Sequence, residues 1–265
     1  MRVFISADIE GIANTAIWDH ASKGAYGYDA ACRQMSLEVA AACEGAFAAG
    51  ADYVRVKDAH GSGTNIISDL LPRGVELTRH SCGSPWSMVY GVDEGFDAAM
   101  FIGYHCAAGR PGNPLSHTET KATTAVKLNG KRLSEFEIYS MACARAGVPS
   151  VFLSGDQMLC DDVAGMHPHL VSVPVKRGYG GIVTVLQPQD ACDRIREGVK
   201  QALSQDFAGQ LCSIPEHFVF EVSYKEHTDA IRASFFPGFE FIGDNTIRME
   251  TDDLWDVMTA FCWVL

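Results

Sequence analysis

The sequence lacks long hydrophobic runs and an excess of basic residues. Asp8 and Glu10 interrupt the apolar N-terminus, and no apolar stretch approaches the roughly 20 residues that cross a membrane. Only 21 Lys and Arg residues stand against 33 Asp and Glu residues, which gives a formal net charge of -12. This balance argues against nucleic acid and against a membrane surface as partners. Since no signal peptide is recognisable, we expect a cytoplasmic protein.

Closely spaced cysteine pairs are also missing. The nine cysteines are odd in number, scattered and without a Cys-x-x-Cys motif. This pattern argues against a disulfide framework and against a thiolate zinc site. It predicts that most of the cysteines are small buried hydrophobic residues.

Hydrophobic residues and glycines are abundant. The chain is 47% hydrophobic and contains 25 glycines among 265 residues, which suits a buried parallel sheet with many tight turns. We predict a three-layer α/β/α fold with a mainly parallel sheet, followed by a small C-terminal α+β subdomain. The expected division is a catalytic metal-binding domain over residues 1–205 and a subdomain over 206–265 that packs on it.

Short local patterns predict individual elements. Asn129-Gly130 between two short strands is typical of a hairpin with a type I′ turn. Ser134, followed three residues later by Glu137, predicts a helix that begins with a capping box. Further predictions are helices over 29–49, 65–71, 188–203 and 252–263, a flexible loop over 178–181, and a long polar loop over 12–28 that lines a site.

Apolar strands repeatedly end in acids or histidines. The first strand leads into Asp8 and Glu10, and the next leads into His60. A third strand leads into His105, and Glu135 lies in the first turn of a predicted helix. Because ligands of open α/β sheets bind outside the carboxyl ends of the strands, these side chains can meet at one rim. Carboxylate and imidazole donors together suit zinc or a similar first-row metal better than magnesium or calcium.

The number of these donors favours two metal ions. Five ligands are more than one tetrahedral ion needs, and a bridging Asp8 fits two ions that share a hydroxide. Each residue also has a structural interpretation. A histidine at a strand end often bonds to the backbone, and a glutamate near a helix N-terminus is favoured by the helix dipole. His117, which lies in a loop, is interpreted as a proton shuttle or oxyanion stabiliser, with a surface histidine as the alternative.

Several segments resemble one family. Ser6-Ala7-Asp8-Ile9-Glu10-Gly11, Asp58-Ala59-His60-Gly61, Gly103-Tyr104-His105, Ser116-His117 and the segment from Asn129 to Glu135 look like the zinc-dependent D-aminopeptidases of the dipeptide-transport-associated type. The resemblance runs in order over roughly the first 180 residues, through Ser154-Gly155-Asp156 and Val175-Lys176.

The resemblance implies a dinuclear zinc site. It places Asp8, Glu10, His60, His105 and Glu135 at the metal-ligand positions of the family and His117 at its catalytic histidine. It also implies a ring-shaped homo-oligomer, a pentamer or decamer. Manganese and cobalt accept the same donors as zinc.

The chain departs from the family pattern at two places. Where the family usually has Gly-Glu-x-Gly, this chain has Ser134-Glu135-Phe136-Glu137. Where the family has a pair of aspartates after the fourth strand, this chain has Asp156-Gln157. We expect metal binding to survive both changes, whereas the substrate preference is open.

The leading hypothesis is a dinuclear metallo-aminopeptidase or amidase. It would hydrolyse small peptides or amino-acid amides with a free N-terminal amine, D-residues among them, by a metal-activated hydroxide, and Glu137 or Asp156 would hold the amine. The alternative is a magnesium phosphotransferase of the haloacid dehalogenase type, with Asp8 as nucleophile and with Gly155-Asp156 and Asp161-Asp162 as the later part of the magnesium site. Two further hypotheses are a cysteine amidase that uses Cys106 and a binding module whose metals are structural.

Overall fold

The protein, seen as a computed structural model, is described over residues 1–165, 167 and 169–265. Its strands are β1 (Arg2–Ala7), β2 (Tyr53–Asp58), β3 (Val75–Thr78), β4 (Ala98–Tyr104), β5 (Thr123–Leu128), β6 (Lys131–Arg132), β7 (Ser150–Asp156), β8 (Val171–Tyr179), β9 (Ile182–Val185), β10 (Phe218–Tyr224), β11 (Phe239–Gly243) and β12 (Thr246–Thr251). Its α-helices are α1 (Tyr28–Ala48), α2 (Glu135–Arg145), α3 (Gln157–Val163), α4 (Pro188–Leu203), α5 (His227–Ala233) and α6 (Leu254–Val264).

The main sheet has seven strands in the order β3-β2-β1-β4-β7-β8-β9. Each neighbouring pair is parallel except β8 and β9, which form an antiparallel hairpin. The predicted mainly parallel sheet is therefore confirmed. Among the described residues, no helix combines the length and apolar character that a membrane crossing requires.

Both faces of the main sheet are covered. Val3 and Ile5 of β1 belong to the core cluster that also contains buried residues of α1 and α4, whereas Phe4 belongs to the cluster with buried residues of α2 and of the C-terminal segment. Successive side chains of a strand point to opposite faces, so a strand covered on both faces is apolar throughout. This is the predicted three-layer arrangement.

A second sheet has five strands in the order β11-β12-β10-β5-β6 and is antiparallel throughout. The predicted hairpin provides β5 and β6, and Asn129 and Gly130 between them have φ of 50° and 78°, as a type I′ turn requires. The other three strands come from the C-terminal segment. The strand β10 pairs with β5, so the second sheet joins residues on both sides of the predicted boundary at residue 205. The boundary itself stays a prediction.

Several local predictions are confirmed. The helix over 188–203 is α4, and α2 carries the predicted capping box, in which the Ser134 side chain accepts from the Glu137 backbone and the Glu137 carboxylate accepts from Ser134. The capping box orients the first turn of α2, and this turn presents Glu135.

Other local predictions are wrong. Helix α1 begins after Gly27, whose φ is 82°, and not at an Asp29 cap. The predicted helix over 65–71 contains only a 3-10 turn at Ser68–Leu70, because the Asp58 carboxylate accepts the backbone N–H groups of residues 65 and 66 and holds this segment in a loop. The predicted loop over 178–181 is half right, because Gly178 and Tyr179 belong to β8 whereas Gly180 and Gly181 form the turn that leads into β9. The helices α3 and α5 are additional to the predicted elements.

Candidate metal centre

The candidate site lies where the strand order of the main sheet reverses. From β1 the chain proceeds outward to β2 and β3, whereas from β4 it proceeds the other way to β7 and β8. Ligands of open α/β sheets bind at such a switch point, outside the carboxyl ends of the strands. Asp8 and Glu10 follow β1 directly, and His105 follows β4, so the topology brings these side chains together.

Close backbone contacts at this point explain the glycine of the Asp-x-Glu-Gly motif. The Gly11 N–H donates to the Gly103 carbonyl at 2.7 Å. A Cβ atom at Gly11 would lie 1.9 Å from the carbonyl oxygen of Tyr104, a distance that no side chain can adopt. The buried Lys176 ammonium donates to the carbonyls of Glu10 and Thr15 and so fixes the loop after β1.

A first donor cluster contains His60, Asp8 and Glu10. The Nδ1 atom of His60 lies 3.3 Å from Asp8 Oδ1 and 2.9 Å from Glu10 Oε2. The Nε2 atom of His60 is 2.8 Å from the Ala21 carbonyl oxygen, which only accepts hydrogen bonds. The Nε2 atom therefore carries a proton, and Nδ1 is the atom that faces the carboxylates.

A second donor cluster contains His105, Asp8 and Glu135. The Nε2 atom of His105 lies 3.4 Å from Asp8 Oδ2 and 3.3 Å from Glu135 Oε2. The Nδ1 atom of His105 is 3.1 Å from the Cys106 carbonyl oxygen, so here Nε2 faces the site. The two oxygens of Asp8 thus point to different clusters.

Three of the donor atoms are buried without a hydrogen-bond partner among the described residues. These atoms are Asp8 Oδ2, Glu10 Oε2 and His105 Nε2. Leaving such groups unsatisfied costs about 1–3 kcal/mol each, which a bound cation would offset. At a zinc–ligand distance of about 2.0 Å, tetrahedral ligands lie roughly 3.3 Å apart, close to the N···O separations in both clusters. Two carboxylate–imidazole clusters with these spacings fit zinc.

The charges in the site are strongly coupled. Burial would lower the pKa of His60, but the Glu10 and Asp8 carboxylates outweigh it and raise this pKa to about 12. Burial likewise opposes the rise for His105, whose pKa the Glu135 carboxylate raises to about 10. Burial would raise the pKa of Asp8, but the hydrogen bond from His60 holds it below its ordinary value. The Asp8 carboxylate thus remains anionic, which favours a positive charge beside it.

His117 lies beside the second cluster. Its ring stacks on that of His105 with centroids 4.4 Å apart, and its Nε2 atom is 3.8 Å from Glu135 Oε1. Its Nδ1 atom is 2.9 Å from the Leu115 carbonyl oxygen, which leaves Nε2 directed toward the cluster. The rings of Trp18 and His117 form a T-shaped contact with centroids 5.2 Å apart, so the polar loop over 12–28 lines the site as predicted.

Glu119 also lies at the site, although no sequence pattern predicts it. Its backbone N–H donates to Glu135 Oε1 at 2.6 Å, and its side-chain Oε1 accepts from the Tyr139 hydroxyl. Burial and the neighbouring Glu135 carboxylate raise the pKa of Glu119. No motif surrounds it; its position two residues after His117 in the same loop is the only signal in the sequence.

The remaining acidic candidates serve other purposes. Asp156 caps α3 by accepting from the Leu159 N–H, and its other oxygen accepts from Cys106 and Asn113. Glu137 is engaged in the capping box. Neither carboxylate is therefore available for a substrate amine.

The geometry supports neither the magnesium phosphotransferase nor the cysteine amidase. Asp162 pairs with Arg110, and Asp156 is satisfied by the protein, so a phosphotransferase magnesium site is not assembled around them. Cys106 is buried, and burial raises the pKa of its thiol, which disfavours a thiolate nucleophile.

An α/β sheet with anionic donor clusters at its switch point is the architecture of a metal-dependent enzyme. The peptidase M55 family model, described as D-aminopeptidase, matches residues 1–263, and the chain therefore belongs to this D-aminopeptidase family. The predicted family resemblance and the predicted aminopeptidase class are confirmed, and no comparison supports the phosphotransferase.

Two relatives illustrate the similarity. A D-aminopeptidase of Bacillus subtilis (strain 168) is 24% identical over 262 residues, which cover 98% of this chain and 95% of that protein. A solved structure, described as the Zn-dependent D-aminopeptidase DppA from Bacillus subtilis, a self-compartmentalizing protease, is 23% identical. It aligns with a TM-score of 0.91 over 100% of this chain and 96% of that chain, which shows that the fold is shared.

Proposed function

We propose that this chain is a zinc-dependent D-aminopeptidase with two zinc ions in one site. Its substrates are small peptides or amino-acid amides with a free N-terminal amine. The observation that carries the proposal is that the two carboxylate oxygens of Asp8 face different donor clusters. Its Oδ1 atom faces His60, and its Oδ2 atom faces His105. Membership of a D-aminopeptidase family supports the reaction class.

The two clusters suggest how zinc is held. Asp8, Glu10 and His60 would hold one ion, and Asp8, His105 and Glu135 the other, so that each has three protein ligands and an open position. Zinc in such a site lowers the pKa of water and polarises a carbonyl group. Magnesium fits less well, because it prefers oxygen donors alone, whereas manganese and cobalt share the preference for mixed donors.

His117 is the proposed catalytic residue. Because its Nδ1 atom donates to Leu115, its Nε2 atom is free to accept a proton when the ring is neutral. After accepting it, the Nε2–H group can donate a hydrogen bond to the oxyanion of the tetrahedral intermediate or return the proton to the leaving amine. Stacking against His105 and the contact with Trp18 fix the ring for this task.

The proposal is tested by hydrolysis of matched D- and L-alanine amides and D- and L-dialanine. We expect hydrolysis of the D-substrates that a chelator abolishes and added zinc restores. Asp8→Asn should lower kcat/KM at least 1000-fold with loss of zinc, because it removes the shared ligand. The control Asp69→Asn makes the same change at an exposed position and should leave activity unchanged. Chelator-resistant turnover, or an active Asp8→Asn variant, would refute the proposal.

We also propose that the chain forms a ring-shaped homo-oligomer in the cytoplasm. The self-compartmentalizing character of DppA supports the assembly, as do exposed apolar side chains such as Tyr179, Ile182, Phe235 and Trp263. Nine free thiols support a reducing compartment. A solution mass equal to one chain, measured by light scattering, would contradict the assembly, and cell fractionation tests the compartment.

A further inference from the structure

Glu119 carries a carboxylate that the proposed zinc ligands do not use. Its backbone is fixed by the 2.6 Å hydrogen bond to Glu135 Oε1, and its Oε1 atom is fixed by the Tyr139 hydroxyl. Tyr139 lies one helical turn after Glu135 on α2, so the Glu119 carboxylate lies next to the second donor cluster on the same helix face. None of the described residues donates a hydrogen bond to Glu119 Oε2.

Glu119 has an uncommon backbone conformation. Its φ is 57°, in the left-handed region that a side chain other than glycine adopts uncommonly. Such conformations cost of the order of 1–3 kcal/mol and concentrate at functional sites. Here the conformation lets the backbone serve Glu135 while the side chain remains beside the site.

The acidic surroundings of Glu119 favour the binding of a cation. No described Lys, Arg or His side chain forms an ion pair with Glu119, although its backbone contacts the Glu135 carboxylate, which faces His105 Nε2 together with Asp8. Glu119 is a residue of intermediate exposure, and a carboxylate among other acids is stabilised by any positive group that enters the site. The substrate of an aminopeptidase brings such a group, its α-ammonium, a few ångströms from the scissile carbonyl.

We propose that Glu119 binds the free α-ammonium group of the substrate and thereby selects substrates with an unmodified N-terminus. This inference rests on the proposed aminopeptidase function and extends it to the recognition of the amine. It replaces the earlier candidates Glu137 and Asp156, whose carboxylates are engaged elsewhere. Glu119 and His117 both lie beside Glu135 Oε1, so Glu119 would hold the amine next to the ring that handles the proton.

The test compares two zinc-binding probes that differ only in the amine. D-Alanine hydroxamate carries the α-ammonium group, whereas propionohydroxamate lacks it, and calorimetry measures the binding of each to the zinc-loaded full chain. We expect wild type to bind the amine probe about tenfold or more tightly, as a charge-assisted hydrogen bond provides. Glu119→Gln should lose this preference, keep its affinity for propionohydroxamate within about twofold and keep its zinc.

Matched variants complete the experiment. Glu216→Gln makes the same change at an exposed position and should behave as wild type. If Glu119→Gln does not fold, Glu119→Asp keeps the charge and should retain a preference for the amine probe, and equal affinities would overturn the proposal. An unchanged preference in Glu119→Gln, an equal loss for both probes, or loss of zinc would also overturn it, because each indicates a role other than binding the amine.

The two proposals fail in different ways. The probes report binding and not turnover, so an unchanged preference in Glu119→Gln together with zinc-dependent hydrolysis by wild type refutes the role of Glu119 alone. Absence of hydrolysis by wild type refutes the aminopeptidase proposal, whatever the probes show.

Discussion

At the residue scale, each histidine of the site is oriented by a backbone carbonyl. His60, His105 and His117 donate from one ring nitrogen to the carbonyls of residues 21, 106 and 115, so the other nitrogen faces the carboxylates. Fixing the tautomer in this way prepares a ring for a metal ligand or a proton. The backbone thus determines which nitrogen does chemistry.

His117 provides the prediction at this scale. His117→Ala should lower kcat about 100- to 10,000-fold, because a positioned acid–base group contributes about that factor. Zinc content, measured by atomic absorption, should not change, because the proposed ligands remain. His227→Ala, the same change at an exposed residue, serves as the control. Turnover within twofold of wild type would remove His117 from the mechanism.

At the element scale, helix α1 supports the loop that carries the acids. Buried Glu38 accepts from the Ala13 N–H at 3.0 Å and from the Gln34 amide at 2.9 Å, while no described residue donates to its Oε2 atom. Burial raises the pKa of Glu38 to about 7 from an ordinary 4.5. The carboxyl is therefore more easily accommodated when it is protonated.

This environment predicts a pH-dependent stability. A raised folded pKa contributes stability that is fully present below the unfolded pKa of 4.5 and is lost as pH rises through about 7. Glu38→Gln removes the titrating group, so the variant should be more stable than wild type by about 3 kcal/mol at pH 8 and by less than about 1 kcal/mol at pH 5. Urea unfolding at both pH values measures this, and Glu216→Gln, at an exposed position that forms no ion pair with the described residues, is the control. The same difference at both pH values would contradict it.

The elements that the sequence predicts best are those with local causes. The capping box of Ser134 and Glu137 and the Asn129-Gly130 turn depend on a few consecutive residues, and both are confirmed. The segment over 65–71 depends on the distant Asp58 carboxylate, so local helix propensity fails there.

The site also contains residues that the sequence predicts and residues whose positions depend on tertiary contacts. Strand ends rich in acids and histidines predicted which residues meet, because topology alone brings the carboxyl ends of parallel strands together. Strand-end patterns do not predict Glu119, because its position in the site depends on its backbone hydrogen bond to Glu135 and on the hydrogen bond from the Tyr139 hydroxyl. The engagement of Asp156 with Cys106 and Asn113 is likewise a tertiary contact that the sequence does not reveal.

At the scale of the whole molecule, two layers of different origin enclose the site. The parallel sheet delivers Asp8, Glu10, His60 and His105 from three strand ends, and α2 delivers Glu135 from the layer that packs against it. The antiparallel second sheet contributes β5 and β6, and this hairpin leads directly into α2. A change in the packing of the two layers would therefore move Glu135 relative to the other ligands.

The most direct test of the account is zinc-edge anomalous diffraction from crystals of the full chain grown with zinc. We expect two peaks per chain, one among Asp8, Glu10 and His60 and the other among Asp8, His105 and Glu135, with Asp8 shared. A single peak would contradict the dinuclear centre. Peaks elsewhere, or none at these side chains, would contradict the proposal that metal at the switch point carries the peptidase reaction.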